Sequence, residues 1–286
     1  TCTGKKAQFD MAKSFLGRHV QFASGDTCGL ARQDWQDRCV SGNHDKWNGG
    51  MPILHFGVSN AYYQMFPQNT FPKMAPDLLI TLSNGQNLQV RFAMIDSDAD
   101  TTRDLMRRSF ARGKFSSQLT PTPAWPLDLG QRRQDEIRTL LIHHSPTYPR
   151  SSHALRMHQK CREELERYLV DQEISVVMTG HIHIPKLRVF LAHHRGTGKT
   201  RPVLETRSGT ATQQDTIPAQ WHASTSQRQR WQLQLYQNVI LVHRLLETTD
   251  DSGAPAVTWE TTAYWRSETG FVPLPGALPV THPVWP

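Results

Sequence analysis

Three observations predict an α/β fold. The run from Thr139 to Ile142 is continuously apolar, as a strand buried on both faces is. From Ala154 to Leu169 the spacing turns helical, with Leu155, Met157, Cys161, Leu165 and Leu169 placed to cover a sheet. A second apolar run, Ile174 to Met178, follows. Strand, helix and strand in succession form the unit from which α/β sheets are assembled. Both strands also deliver histidines at the same end, in His143-His144-Ser145-Pro146 after the first and Gly180-His181-Ile182-His183 after the second.

The elements before this unit are shorter. Ala7 to Leu16 has helical spacing at Ala7, Met11 and Phe15, with Gly17 as its stop. His19 to Ala23 reads as a strand that ends at Ser24-Gly25-Asp26. There glycine permits close backbone approach, and the carboxylate is left at the C-terminal edge of a sheet, where α/β folds bind ligands. Leu30 to Asp37 reads as a short helix or loop and Arg38 to Val40 as strand-like, leading into Ser41-Gly42-Asn43-His44-Asp45. That polar knot sets an amide, an imidazole and a carboxylate side by side. Ser59 to Phe66 reads as a helix. Leu78 to Leu82 and Leu88 to Ile95 read as strands joined by Ser83-Asn84-Gly85-Gln86, a hairpin signal.

Two stretches imitate ligand loops and fail on inspection. Asp96, Asp98 and Asp100 have the spacing of the first half of a calcium loop, but Thr101 stands where the turn needs glycine and Arg107 where a bidentate glutamate is needed. The segment therefore reads as a solvated acidic loop. Gly196-Thr197-Gly198-Lys199-Thr200 imitates a phosphate loop, but His193 stands where glycine is required, and strands, Leu187 to Ala192 and Val203 to Thr206, flank it. A hairpin turn is the better reading. Leu119 to Leu129 reads as a surface connection. Beyond Pro185 the texture is β, with alternation from Trp231 to Leu235 continuing into Val239 to Leu246 and Val257 to Trp265. Pro273 to Pro286 holds five prolines and reads as an irregular surface segment. The expectation is one domain over residues 1–272, β-rich from about 186, followed by a tail over 273–286.

Composition limits the function classes. The chain has 286 residues, 37% hydrophobic and 20% charged, as a globular protein has. No apolar run approaches the roughly 18 to 20 residues that span a bilayer. Lys5 and Lys6 are not followed by the apolar core of a signal peptide, so a cytoplasmic setting is expected. Cys2, Cys28, Cys39 and Cys161 form no C-x-x-C pair and read as reduced thiols in the core. The net charge of +7 favours anionic partners. Basic residues are scattered, with small clusters at Arg107-Arg108 and Arg132-Arg133, which argues against a nucleic-acid groove.

Gly25-Asp26, Gly42-Asn43-His44-Asp45, His143-His144-Ser145-Pro146 and Gly180-His181-Ile182-His183 occur in that order, each after a predicted strand. The series resembles that of the calcineurin-like metallophosphoesterases over Ser24 to His183, and the His-His-Ser-Pro form looks like the branch with cyclic-nucleotide and other small phosphodiesterases. The resemblance implies two packed mixed β-sheets flanked by helices, a four-layer sandwich with the site at strand ends. It implies a small phosphoester substrate and one or two divalent ions per chain, of Mn, Fe, Zn or Co, which suit carboxylate and imidazole ligands. Asp26 would bridge the ions; Asn43, His143 and His181 would complete one shell and His183 would serve the other. His143 is the better choice of its pair, with His144 as the alternative. His44 would meet the substrate phosphate and assist the leaving oxygen, with Asp45 orienting it.

The match departs from the pattern on one side. The Asp-x-His motif is absent upstream of Asp26, where only Asp10 and His19 stand, and Gly29 replaces the acid of the second motif. The span from Asp26 to Gly42 is also short for the family. Three readings follow: a first strand precedes Thr1 in a longer chain, Asp10 or His19 substitutes, or one ion is held well and the other poorly. The alternative from another class is a catalytically silent member of the fold that binds phosphate ligands or a protein partner.

Overall fold

The computed structural model describes residues 6–17, 20–21, 27–28, 34–42, 45, 61–100, 113–121, 124–147, 156–181, 185–208, 214–218, 233–267, 270–274 and 279–285. In chain order the elements begin with α1 (Lys6–Gly17), β1 (Val20–Gln21), β2 (Thr27–Cys28), a 3-10 turn over Trp35–Arg38, and α2 (Ala61–Met65). Then come β3 (Lys73–Met74), β4 (Leu78–Thr81), β5 (Asn87–Ile95), α3 (Ser116–Leu119), β6 (Glu136–Ile142), α4 (Gln159–Asp171) and β7 (Val176–Thr179). The remainder is β: β8 (Lys186–His193), β9 (Thr200–Arg207), β10 (Gln214–Pro218), β11 (Leu233–Thr249), β12 (Pro255–Ser267), β13 (Gly270–Pro273) and β14 (Val280–Trp285).

The strands establish an α/β architecture. The larger sheet has seven strands in the order β3-β5-β6-β7-β9-β8, with β4 also paired to β5. It is mixed: β6, β7 and β9 run parallel, while β3 and β4 are antiparallel to β5 and β8 to β9. Parallel strands are covered on both faces, which is why the second half of β6, Leu140 to Ile142, and β7 from Val176 to Met178 are apolar without alternation; Ile137, Leu140, Val176 and Val177 are fully buried. A second sheet of five strands is antiparallel throughout, with β11 between β10 and β12, and with β13 and β14 pairing different stretches of β12.

The chain divides into two compact units, each discontinuous in sequence. The first comprises Thr1–Asp77, Phe92–Asp128 and Ile142–Glu164, the second Leu78–Arg91, Leu129–Leu141 and Leu165–Pro286. In the first, Phe9, Tyr62 and Phe66 form a buried aromatic cluster against Leu16, Cys39, Tyr63 and Phe71. Tyr62 donates its hydroxyl to the Cys39 carbonyl at 2.8 Å, which ties α2 to the segment preceding the polar knot. In the second unit, Glu136 lies buried between Arg91 at 2.7 Å and Arg138 at 3.0 Å. Burial alone would raise the Glu136 pKa, but hydrogen bonds from Arg138 and Arg91 hold it below the ordinary carboxylate value.

Several sequence expectations need correction. Arg38 to Val40 is not a strand: the 3-10 turn ends at Arg38, and Cys39 to Gly42 follow as irregular chain. Of the predicted strand over His19 to Ala23, Val20 and Gln21 form β1 and the rest lies outside the described residues; among the described residues β1 pairs with β2 and joins neither larger sheet. The helix predicted from Ala154 begins at Gln159, with Met157 instead bridged to Gly113. The Asp96 to Asp100 segment is not solvated, because Asp96, Ser97 and Asp98 are fully buried. The proline-containing tail is not irregular throughout, since β14 pairs with β12 from Val280 to Trp285. The hairpin over residues 194–199 is as expected, closed by His194 N–H donating to the Lys199 carbonyl at 2.9 Å, with Gly198 at a φ of +71°.

Candidate functional site

In the first unit, the polar knot and the end of β6 meet. Gly42 carries no side chain because His143 occupies that space: a Cβ there would stand 2.8 Å from the His143 Cε1 atom. The knot is closed on itself. The Asp45 backbone N–H donates to the Gly42 carbonyl at 3.1 Å, and the Gly42 N–H donates to Asp45 Oδ2 at 2.9 Å, so Asp45 is tied to Gly42 through both its backbone and its side chain. Nearby, Cys39 is pushed up to about 11 by burial and by the Asp45 charge, which keeps it a thiol.

The second histidine of the pair turns to a different partner. Ser97 Oγ lies 2.7 Å from His144 Nδ1 and accepts the His144 backbone N–H at 3.1 Å. Asp98 Oδ2 is 3.9 Å from the same ring nitrogen, and all three side chains are fully buried. Gly113 backs the ring, where a Cβ would stand 2.7 Å from His144 Cγ. The chain after β5 is clasped by Gln118, which accepts the Asp96 N–H at 3.0 Å and donates to the Asp96 carbonyl at 3.2 Å. Tyr63 donates its hydroxyl to Asp96 Oδ2 at 2.5 Å. Burial first, and then the Asp96 charge, hold the Tyr63 hydroxyl well above the ordinary tyrosine range, so it remains a donor.

In the second unit, β7 ends at Thr179 and leads through Gly180 to His181. His181 is buried, at 8% exposure, and adopts a φ of +68°, a left-handed conformation uncommon for a residue with a side chain. Such conformations persist where surrounding structure fixes them, often at functional sites. Thr179 donates its hydroxyl to Glu205 Oε1 at 3.1 Å, and Ser208 N–H donates to the Thr179 carbonyl at 2.9 Å.

Of the site residues expected from sequence, Asp45, His143 and His181 are described, whereas Asp26, Asn43, His44 and His183 lie outside the described residues. The structure brings the Gly42 turn against His143 and keeps His144 on Ser97, so the two adjacent imidazoles have separate surroundings. Tyr63, Asp96, Ser97, Asp98 and Gln118 were missed by sequence reasoning. One signal was available: the apolar run ending at Ile95 empties into polar residues as the runs before His143 and His181 do.

His143 and His181 are imidazoles, the donor type that suits Mn, Fe, Zn or Co, so both fit a divalent metal by chemistry. Among the described residues, no group of three or more His, Cys, Asp or Glu side chains stands in position to hold an ion. No helix among them is long and apolar enough to cross a membrane. No protein-family model matches the chain, and no curated protein matches it in sequence.

Proposed function

We propose that the chain is a metal-dependent phosphoesterase that hydrolyses a small phosphodiester. The observation that carries this reading is the Gly42 backbone seated against the His143 ring, which makes neighbours of two motifs far apart in sequence. The resemblance pairs these two motifs in one ligand shell. Asp26, Asn43, His143, His181 and His183 would hold one or two ions. When bound, the ions supply a hydroxide of lowered pKa and neutralise charge during an in-line displacement.

The remaining roles fall to this chain's own groups. His44 donates a proton to the leaving oxygen, and Asp45, bonded to the Gly42 N–H, orients it. Ser97 and Asp98 occupy His144, which leaves His143 as the imidazole facing the knot. His181→Ala and Asn43→Ala are expected to abolish hydrolysis of bis(p-nitrophenyl) phosphate in Mn while circular dichroism stays that of the wild type. Undiminished turnover in both variants overturns the reading. Metal analysis after dialysis separates it from the silent scaffold, which would retain no ion.

A further inference from the structure

Strand register gathers an unusual charge set beside β7. In the pairing of β8 with β9, Lys186 is opposite Arg207 and Arg188 opposite Glu205; in the pairing of β7 with β9, Thr179 is opposite Arg207. Residues directly opposite share a face, and so do residues two apart along a strand. Thr179, Lys186, Arg188, Glu205 and Arg207 therefore lie on one face, and the Thr179 hydroxyl bonded to Glu205 at 3.1 Å shows it directly. The buried Arg207 lies on Glu205, at 3.3 and 3.5 Å to its two oxygens, and the other carboxylate that the register carries onto this face, Glu136 of β6, is paired with Arg138 at 3.0 Å.

Like charges directly across a sheet are destabilising, so Lys186 opposite Arg207 costs the fold stability that a bound anion would offset. Lys186 is exposed and Arg188 half-buried, which leaves both able to meet a ligand. The Lys186 residue is exposed but its ammonium is partly desolvated, and this, then the charges of Arg188 and Arg207, hold it below its ordinary pKa. Thr179 is two residues from His181, a span of at most about 7 Å along the chain. His181 therefore follows directly on the strand end whose register partner is Arg207 of the patch.

We infer that Lys186, Arg188 and Arg207 form an anion subsite beside His181 that takes a second phosphoryl group of the substrate. Its assignment to substrate rests on the phosphoesterase reading, whereas the subsite itself is tested apart from activity. The test is calorimetric titration of the full chain with pyrophosphate, repeated on Lys186→Gln and Arg188→Gln, whose side chains are not fully buried. Each loss of a charge-assisted contact is expected to weaken pyrophosphate binding roughly tenfold or more. Arg207→Lys, which keeps the charge and loses the fork, is expected to weaken it less than Arg207→Gln. Pyrophosphate binding that weakens in the variants supports the subsite even if no diester is hydrolysed, in which case only the phosphoesterase reading falls. Wild-type affinity in both Lys186→Gln and Arg188→Gln, or no pyrophosphate binding by the wild type, overturns the subsite and leaves the phosphoesterase reading standing.

Discussion

Ser97 holds the His143-His144 pair through a single hydroxyl used twice. Its oxygen accepts the His144 backbone N–H at 3.1 Å and lies 2.7 Å from His144 Nδ1, so one buried atom fixes both the chain and the ring. Removing it withdraws a partner from two groups that water does not reach. Ser97→Ala is expected to lower the unfolding free energy by about 1–3 kcal/mol in urea titration. Ser97→Thr, which keeps the hydroxyl, should recover part of that loss. Gly42 acts on the other imidazole by steric exclusion. A methyl group there would stand 2.8 Å from His143 Cε1, closer than side chains tolerate, so the half-buried ring must move. On the phosphoesterase proposal, in which His143 holds an ion, Gly42→Ala is therefore expected to reduce kcat on an aryl phosphodiester at least about tenfold, the penalty for a misplaced group. Far-ultraviolet circular dichroism should stay unchanged, because the displacement is confined to one side chain.

At the scale of elements, β14 shows where composition misled and pairing prevailed. Five prolines between 273 and 286 argue for irregular chain, yet β14 pairs with β12 from Val280 to Trp285. Its proline falls opposite Thr258, beside a register shift between Val257 and Thr258, the kind of irregularity at which a strand tolerates a residue without an N–H. Val284 and Trp285 are buried, and the Trp285 indole N–H donates to the Gln134 carbonyl. Trp285→Ala is expected to cost about 3–5 kcal/mol in denaturant unfolding. The central strands were legible because burial on both faces leaves an unbroken apolar run, as at Thr139 to Ile142 and Ile174 to Met178. The hairpin of β4 and β5 was legible from its turn, where Gly85 takes a φ of +82°. The buried acidic segment was not, because local charge density argues for solvent while its partners Tyr63, Gln118 and His144 come from distant positions. The same limit explains the site: periodicity located the end of β6, but which of His143 and His144 faces Gly42 depends on a contact made across the chain.

For the molecule as a whole, stability is expected to fall as acid is added, through three groups that act with one sign. His243 is pushed down to about 4 by burial, and the Trp259 indole N–H donates to its Nδ1 at 3.2 Å, a bond that requires that nitrogen unprotonated. His282 is also lowered, by burial and then by Arg201. A histidine whose folded pKa lies below its unfolded value binds fewer protons folded than unfolded, so its stabilising contribution is complete above pH 6.5 and is lost as pH falls toward the folded pKa. Glu136, held low by Arg138 and Arg91, contributes stability above its ordinary value of 4.5 that disappears as pH drops through its folded pKa. Protonation also adds to a chain already at +7, so self-repulsion works in the same direction. Urea unfolding followed from pH 8 to pH 3 should show a plateau above pH 7, a decline from 6.5 toward 4 and a further decline below 4.5. The double variant His243→Gln with His282→Gln should flatten the first decline and leave the second, while Glu136→Gln should be less stable at neutral pH and lack the second. A wild-type profile that is level between pH 7 and pH 4 would show that these histidines are not neutral by virtue of burial, and the polar contacts around Trp259 would then need another cause.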